Sequence, residues 1–215
     1  MKWSDQTWKI CEPIYNRILE LPFLIELMDG SLPKEKFYHY LQQDAIYLSE
    51  YGKIMAGIAS RLDNTKQREA FLNFSKDTIT VELSLHAKFL KDAPSISYPG
   101  ASPCCLLYTG YLSSLLHFQP IEKVLAAVLP CFWIYQKVGD YIVEYQTKDY
   151  NPFQAWIDTY SGEEFAGMVK ITIEICDEAA EKSLLKTEMT DAFRYASKME
   201  WMFWDSAYRL EKWPV

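Results

Sequence analysis

A chain of 215 residues, 49% hydrophobic and 24% charged, has globular proportions and fits one domain spanning residues 1–215. Its 22 Lys and Arg against 29 Asp and Glu leave a net charge of -7 with no basic cluster, so it lacks the electrostatic footprint of a nucleic-acid binder. No proline-free apolar run is long enough to cross a bilayer, the start Met1-Lys2-Trp3-Ser4-Asp5 is no secretory signal, and five cysteines without scaffold spacing make a poor disulfide framework; a cytoplasmic protein with free thiols is expected.

Helical periodicity dominates and no stretch shows sustained period-two alternation, so the expected fold class is all-α. Breaks at Leu21-Pro22, Asp29 to Pro33, Leu62 to Asn64, Asp92 to Ser102, Phe118 to Pro120, Asp149 to Pro152, Ser161-Gly162 and around Lys186-Thr187 leave roughly seven helices. Ser31, ahead of Leu32-Pro33, is expected to cap the first long helix, Pro33 to Leu62. Thr65 to Lys91, Pro120 to Gln146, Gly162 to Lys182 and Glu188 to Glu211 follow as further long helices. The proline-rich connection from Ala93 to Pro103 is either the edge of a pocket or a plain crossover. No repeat, low-complexity tract or Gly/Ser linker divides the chain.

Chemistry is suggested where polar residues fall on apolar faces. Tyr40, Asp44, Tyr47 and Tyr51 stack on one face together with Phe37 and Ile54, so an inward carboxylate is expected at Asp44. It either belongs to a tyrosine network or does acid/base work. On the last helix, Phe193, Ala196, Glu200, Phe203, Trp204 and Ala207 share a face in which Glu200 is the only charge. Two long helices thus each aim one carboxylate at the interior. Cys131 follows Pro130 within a helical run and has Tyr135 one turn further on; it is either a small core residue or a thiol tilted into a cavity. Cys11, Cys104, Cys105 and Cys176 have no such context and read as core residues. The 7 Trp, 15 Tyr and 11 Phe are more than packing alone demands and suit a ligand that presents ring faces.

A metal site is weighed on Glu82 with His86 and on Glu35 with His39, each pair four residues apart. Carboxylate-bridged bundles use Glu-x-x-His instead, so no metal is expected; Glu82 and His86 read as a pair along one helix face, and His117 as a surface or capping histidine. Phosphate-cradling glycine motifs, Gly-x-Ser-x-Gly elbows and Cys-x-x-Cys pairs are absent from the sequence.

The segment Gly30-Ser31-Leu32-Pro33-x-x-x-Phe37-x-x-Tyr40-Leu41-x-Gln43-Asp44-x-x-Tyr47-Leu48, the block Leu129-Pro130-Cys131-Phe132-Trp133-Ile134-Tyr135 and the ending Glu200-x-x-Phe203-Trp204-x-x-Ala207-Tyr208 resemble the thiaminase II (TenA) family. So do Glu82-Leu83-x-Leu85-His86 and Trp156-Ile157-x-Thr159-Tyr160-Ser161-Gly162, and the likeness spans residues 20–212 in order. It implies a heme-oxygenase-like helical bundle that binds no heme or other cofactor, assembles as a homotetramer and takes a small pyrimidine as substrate in thiamin salvage. The implied activity releases 4-amino-5-hydroxymethyl-2-methylpyrimidine from thiamin or from 4-amino-5-aminomethyl-2-methylpyrimidine. By motif position, Cys131 is implied as the nucleophile, Glu200 as the acid/base, and Asp44 as the group that binds the aminopyrimidine and positions the thiol. Tyr47, Tyr108, Tyr135 and Tyr160 are implied as the ring-gripping wall. Two rival readings stand beside this: a non-catalytic aminopyrimidine binder or regulator, and a metal-dependent oxygenase on the same bundle. Both candidate substrates share the half these residues grip, so the residues do not choose between them.

Overall fold

The computed structural model describes residues 1–89, 100–147 and 150–215, with 81–89 described as backbone only. Among the described residues there are nine helices and no strand: α1 (Trp3–Leu19), α2 (Pro22–Asp29), α3 (Lys34–Arg61), α4 (Thr65–Phe89), α5 (Pro103–Phe118), α6 (Ile121–Tyr145), α7 (Gln154–Ser161), α8 (Glu163–Lys182) and α9 (Lys186–Tyr208). The fold is all-α, as the periodicity requires. None of these helices is long and apolar enough to cross a membrane.

Two helices exceed the expected seven. α2 and α7 are eight residues each, too short for a 3.6-residue period to declare itself, and tertiary caps hold them. The Asn151 amide donates to the carbonyls of Leu27 (2.9 Å) and Met28 (3.1 Å) at the end of α2, while its Oδ1 accepts from the N–H of Phe153 at the start of α7. Contrary to the expectation from the sequence, Ser31 does not cap α3. α3 starts at Lys34 with Pro33 as its N-cap, and the N–H of Ser31 instead closes α2 by donating to Glu26 O at 2.8 Å. Gly30, left-handed at φ 70°, adds the companion bond to Leu27 O, a Schellman ending that needs a residue without Cβ. The last break falls at 183–185, and α9 begins at Lys186.

α6 lies at the centre, against α7, α8 and α9, and runs unbroken through Pro130; α3 packs against α4, α5 and α9. The inward faces match the sequence stripes: Phe37, Tyr40, Asp44, Tyr47, Tyr51 and Ile54 of α3 are all buried, as are Phe193, Ala196, Glu200, Phe203, Trp204 and Ala207 of α9. Burying each large aromatic contributes on the order of 2–3 kcal/mol, which lets the bundle tolerate carboxylates in its interior. Two glycines set how closely the helices around those carboxylates approach. A Cβ on Gly139 of α6 would lie 2.8 Å from the carbonyl carbon of Tyr160, and one on Gly52 of α3 would lie 2.6 Å from Thr78 Oγ1 of α4.

Candidate active site

A cavity with roughly 530 Å³ of empty space, the open solvent at its mouth included, lies between α3, α4, α6, α7 and α8. Asp44, Leu48 and Tyr51 face it from α3, Phe74, Asp77 and Thr78 from α4, and Cys131, Phe132 and Tyr135 from α6. Thr159 and Tyr160 of α7 and Phe165 and Met168 of α8 complete the wall. Asp44, Tyr51, Tyr135 and Tyr160 are buried, whereas Asp77, Thr78, Phe165 and Met168 are half-buried. The closed end is therefore made by the buried residues of α3, α6 and α7 with Phe74 of α4, and the mouth by half-buried Asp77, Thr78, Phe165 and Met168, beside half-buried Cys131 and Thr159.

Hydrogen bonds hold the closed end. Trp156 Nε1 donates to the Tyr40 hydroxyl at 3.2 Å, which donates to the Tyr135 hydroxyl at 3.3 Å. Tyr135 packs against Tyr160 and Trp204, with ring centroids 4.8 and 4.7 Å apart. Next to Asp44 on α3, Gln43 ties the start of α5 to the site, accepting from the N–H of Ser102 at 2.7 Å. Tyr51 donates to Val128 O of α6 at 2.7 Å, two residues before Pro130, fixing α3 against the helix that carries the thiol.

Glu200 sits behind this wall. It is 2% exposed, and the Tyr108 hydroxyl donates to its Oε1 at 2.7 Å. Burial raises its carboxyl pKa from 4.5 to about 8, the Tyr108 bond holds it partly down and the charge of Asp44 pushes it further up. At neutral pH it is an acid. Burial also pushes the Cys131 thiol well above its ordinary value, and the carboxylates of Glu200 and Asp44 add to the rise, while the hydroxyls of Tyr47 and Tyr51 favour the thiolate. The Tyr47 hydroxyl is buried without an acceptor in hydrogen-bonding geometry; it faces the sulfur, and a buried unsatisfied donor there calls for a partner. Of the five cysteines only Cys131 is not fully buried; Cys11, Cys104, Cys105 and Cys176 are free core thiols.

The structure thus brings Asp44, Cys131, Tyr135 and Tyr160 into one cavity wall, with Tyr47, Tyr108 and Glu200 packed behind it. Tyr47 bridges the two layers, its ring 5.0 Å from that of Tyr108 and 5.3 Å from that of Tyr51. Tyr108, singled out as a ring-gripping residue, bonds Glu200 and is absent from the described lining. Sequence reasoning did not single out Asp77, Thr78, Phe74, Phe165 or Met168, whose helices give no sign of facing α3. Glu82 and His86 lie outside the residues with described side chains. Glu35 and His39 sit together at a separate polar hollow near the end of α9, and no group of three or more His, Cys, Asp or Glu able to hold a metal occurs among the described residues.

Known proteins resemble this chain over nearly its whole length. The aminopyrimidine aminohydrolase of Bacillus subtilis is 28% identical over 220 residues, covering 99% of this chain and 92% of that protein. The multifunctional thiamine biosynthesis protein ThiED of Corynebacterium efficiens is 35% identical over 170 residues, and the match spans 78% of this chain but only 23% of that longer protein. Among solved structures, a TenA homologue from P. horikoshii superposes with a TM-score of 0.85 at 27% identity, covering 97% of this chain and 99% of that one. A domain from Shewanella denitrificans described as having a heme oxygenase-like fold matches with a TM-score of 0.76 at 15% identity, covering 96% of this chain and 92% of that one, which identifies the fold. The TENA/THI-4/PQQC family model matches residues 8–210, so the chain belongs to that family.

Proposed function

We propose that this protein is an aminopyrimidine aminohydrolase of the thiaminase II type, releasing 4-amino-5-hydroxymethyl-2-methylpyrimidine by hydrolysis. The observation that carries the reading is a partly accessible thiol, Cys131, in a cavity with the Asp44 carboxylate and aromatic rings, backed by a carboxylic acid, Glu200, that keeps its proton at neutral pH. The names of full-length relatives support the hydrolase class.

The chemistry follows from these groups. Asp44 faces the ring-nitrogen and amine edge of an aminopyrimidine, while Tyr135 and Tyr160 pack its faces. The Cys131 sulfur bonds to a ring carbon beside a nitrogen as its S–H bond breaks and that proton passes to the Asp44 carboxylate, and Glu200 gives its own proton to the ring. Electrons released by that addition then expel the leaving group from the methylene, which departs with the electron pair of the broken carbon–nitrogen bond. Water adds to the methylene and loses a proton, Glu200 recovers its own from the ring, and the carbon–sulfur bond breaks with the sulfur taking its proton back from Asp44. From thiamin the products are the hydroxymethyl pyrimidine, the thiazole and a proton; from the aminomethyl pyrimidine, the alcohol and ammonium. A cytoplasmic homotetramer acting in salvage is part of the same proposal.

The test is a chromatographic assay for the hydroxymethyl pyrimidine, with wild type, Cys131→Ala and Glu200→Gln given thiamin or the aminomethyl pyrimidine. Product from wild type alone is expected. Turnover retained in Cys131→Ala removes covalent catalysis, turnover retained in Glu200→Gln removes the acid/base role, and tight binding without wild-type turnover makes the protein a binder or regulator.

A further inference from the structure

Resting on that reading, the geometry points to Asp77 as the residue that selects the leaving group. Asp77 and Thr78 enter the cavity from α4, outside the Glu82-to-His86 motif that the same helix carries. They do so at a fixed depth. Ser75 Oγ donates to Gly52 O at 2.7 Å, the missing side chain of Gly52 admits Thr78 against α3, and Thr78 Oγ1 is engaged by Ser75 O at 2.8 Å. The neighbouring Asp77 carboxylate has no hydrogen bond or ion pair among the described residues, and it is half-buried at a mouth that Phe165 and Met168 also line.

A pyrimidine whose amine edge meets Asp44 carries its exocyclic methylene on the adjoining ring carbon, to the side of that edge, and the proposal sets that side toward Asp77. Both leaving groups are cations while attached, a thiazolium or a protonated primary amine. A carboxylate among aromatic rings holds a cation better than a neutral group, since the rings exclude water from the contact and offer it their faces. The positive charge on the leaving nitrogen falls as the carbon–nitrogen bond breaks, so the contact holds the bound substrate more than the transition state, and its loss raises KM without lowering kcat. Asp77 is on this reading a specificity residue, outside the bond-making machinery.

Isothermal titration with two ligands separates this from a structural role: the aminomethyl pyrimidine, a cation, and the hydroxymethyl pyrimidine, which keeps the ring and lacks the charge. Asp77→Asn is expected to weaken the first about tenfold in Kd and to raise its KM similarly, the size of one charge-assisted contact, while the second stays within about twofold. Asp77→Glu is expected to recover most of the loss. Equal weakening of both ligands, or of neither, overturns the assignment of Asp77 while leaving the proposed function standing. A wild-type protein that binds neither pyrimidine overturns both.

Discussion

Glu200→Gln gives a test of the buried-acid reasoning that needs no substrate. A carboxyl whose pKa rises from 4.5 in the unfolded chain to about 8 in the fold keeps a proton that the unfolded chain releases. Folding therefore loses nothing through Glu200 below about pH 4.5, loses progressively more as pH rises, and the loss levels off above about pH 8. At 1.36 kcal/mol per pH unit, this carboxyl costs about 3 kcal/mol at pH 7 and on the order of 5 at pH 9, against less than about 1 at pH 5. Glutamine keeps the shape and an oxygen to accept from Tyr108, and it does not titrate. Titrating groups that do not interact with Glu200 are common to both proteins and cancel in the difference. The stability of the variant relative to wild type should thus improve by about 4 kcal/mol between pH 5 and pH 9, roughly 8–16 °C in Tm for a chain of this length. Urea unfolding at five pH values across that range, on both proteins, gives the difference curve directly. Parallel pH profiles would refute the buried-acid assignment, and a variant that loses ground as pH rises would reverse its sign.

Three further outcomes follow from named contacts. Gly139→Ala places a methyl group 2.8 Å from the Tyr160 carbonyl carbon and 2.9 Å from the N of Ser161, backbone atoms that cannot rotate aside, so α6 and α7 must part. A loss of about 1–3 kcal/mol in urea unfolding is expected, with a raised KM as Tyr160 leaves its place, and near wild-type stability would show the approach to be slack. Tyr108→Phe removes the donor that holds the Glu200 carboxyl down, so the limb of the kcat–pH profile that reports this acid should move to higher pH by roughly one unit; movement toward acid contradicts the assigned bond. Because the Glu200 charge raises the Cys131 thiol, Glu200→Gln should speed iodoacetamide capture of Cys131 at alkaline pH, read by peptide mass analysis of the one cysteine that is not fully buried. Slower capture would mean that the carboxyl does not face the sulfur.

The parts of the site legible in the sequence are those that one helix can declare alone. Asp44 on the α3 stripe and Glu200 on the α9 stripe are exceptions to an otherwise apolar face, and the 3.6-residue period shows both; they are 3% and 2% exposed. Cys131 drew notice from Pro130 and Tyr135, its neighbours in sequence. Asp77 gave no such signal, because its helix has a weakly segregated pattern and its place depends on Gly52 and Thr78, whose meeting is a tertiary event. Ser31 misled for the opposite reason: its local pattern is that of an N-cap, but Gly30 and Glu26 use its N–H to finish the preceding helix. Short helices were hidden as well, since the cap that joins α2 to α7 is a single asparagine more than a hundred residues away from the carbonyls it satisfies.

One consequence of the cavity's composition bears on how its thiol is activated. Nucleophilic cysteines commonly sit beside histidine, lysine or a helix N-terminus, which lower the thiol pKa in the resting protein. Cys131 lies in mid-helix, its pKa is raised, and the described lining holds two carboxylates, Asp44 and Asp77, with no Lys, Arg or His. A lining that carries carboxylates and no basic side chain favours a ligand with positive charge over a neutral or anionic one. A ligand whose leaving group is a cation brings that charge, while the neutral amine edge of its ring offers hydrogen bonds. The Tyr47 hydroxyl, buried and still without an acceptor, can then donate to a forming thiolate, and the raised pKa keeps the thiol protonated until that ligand arrives.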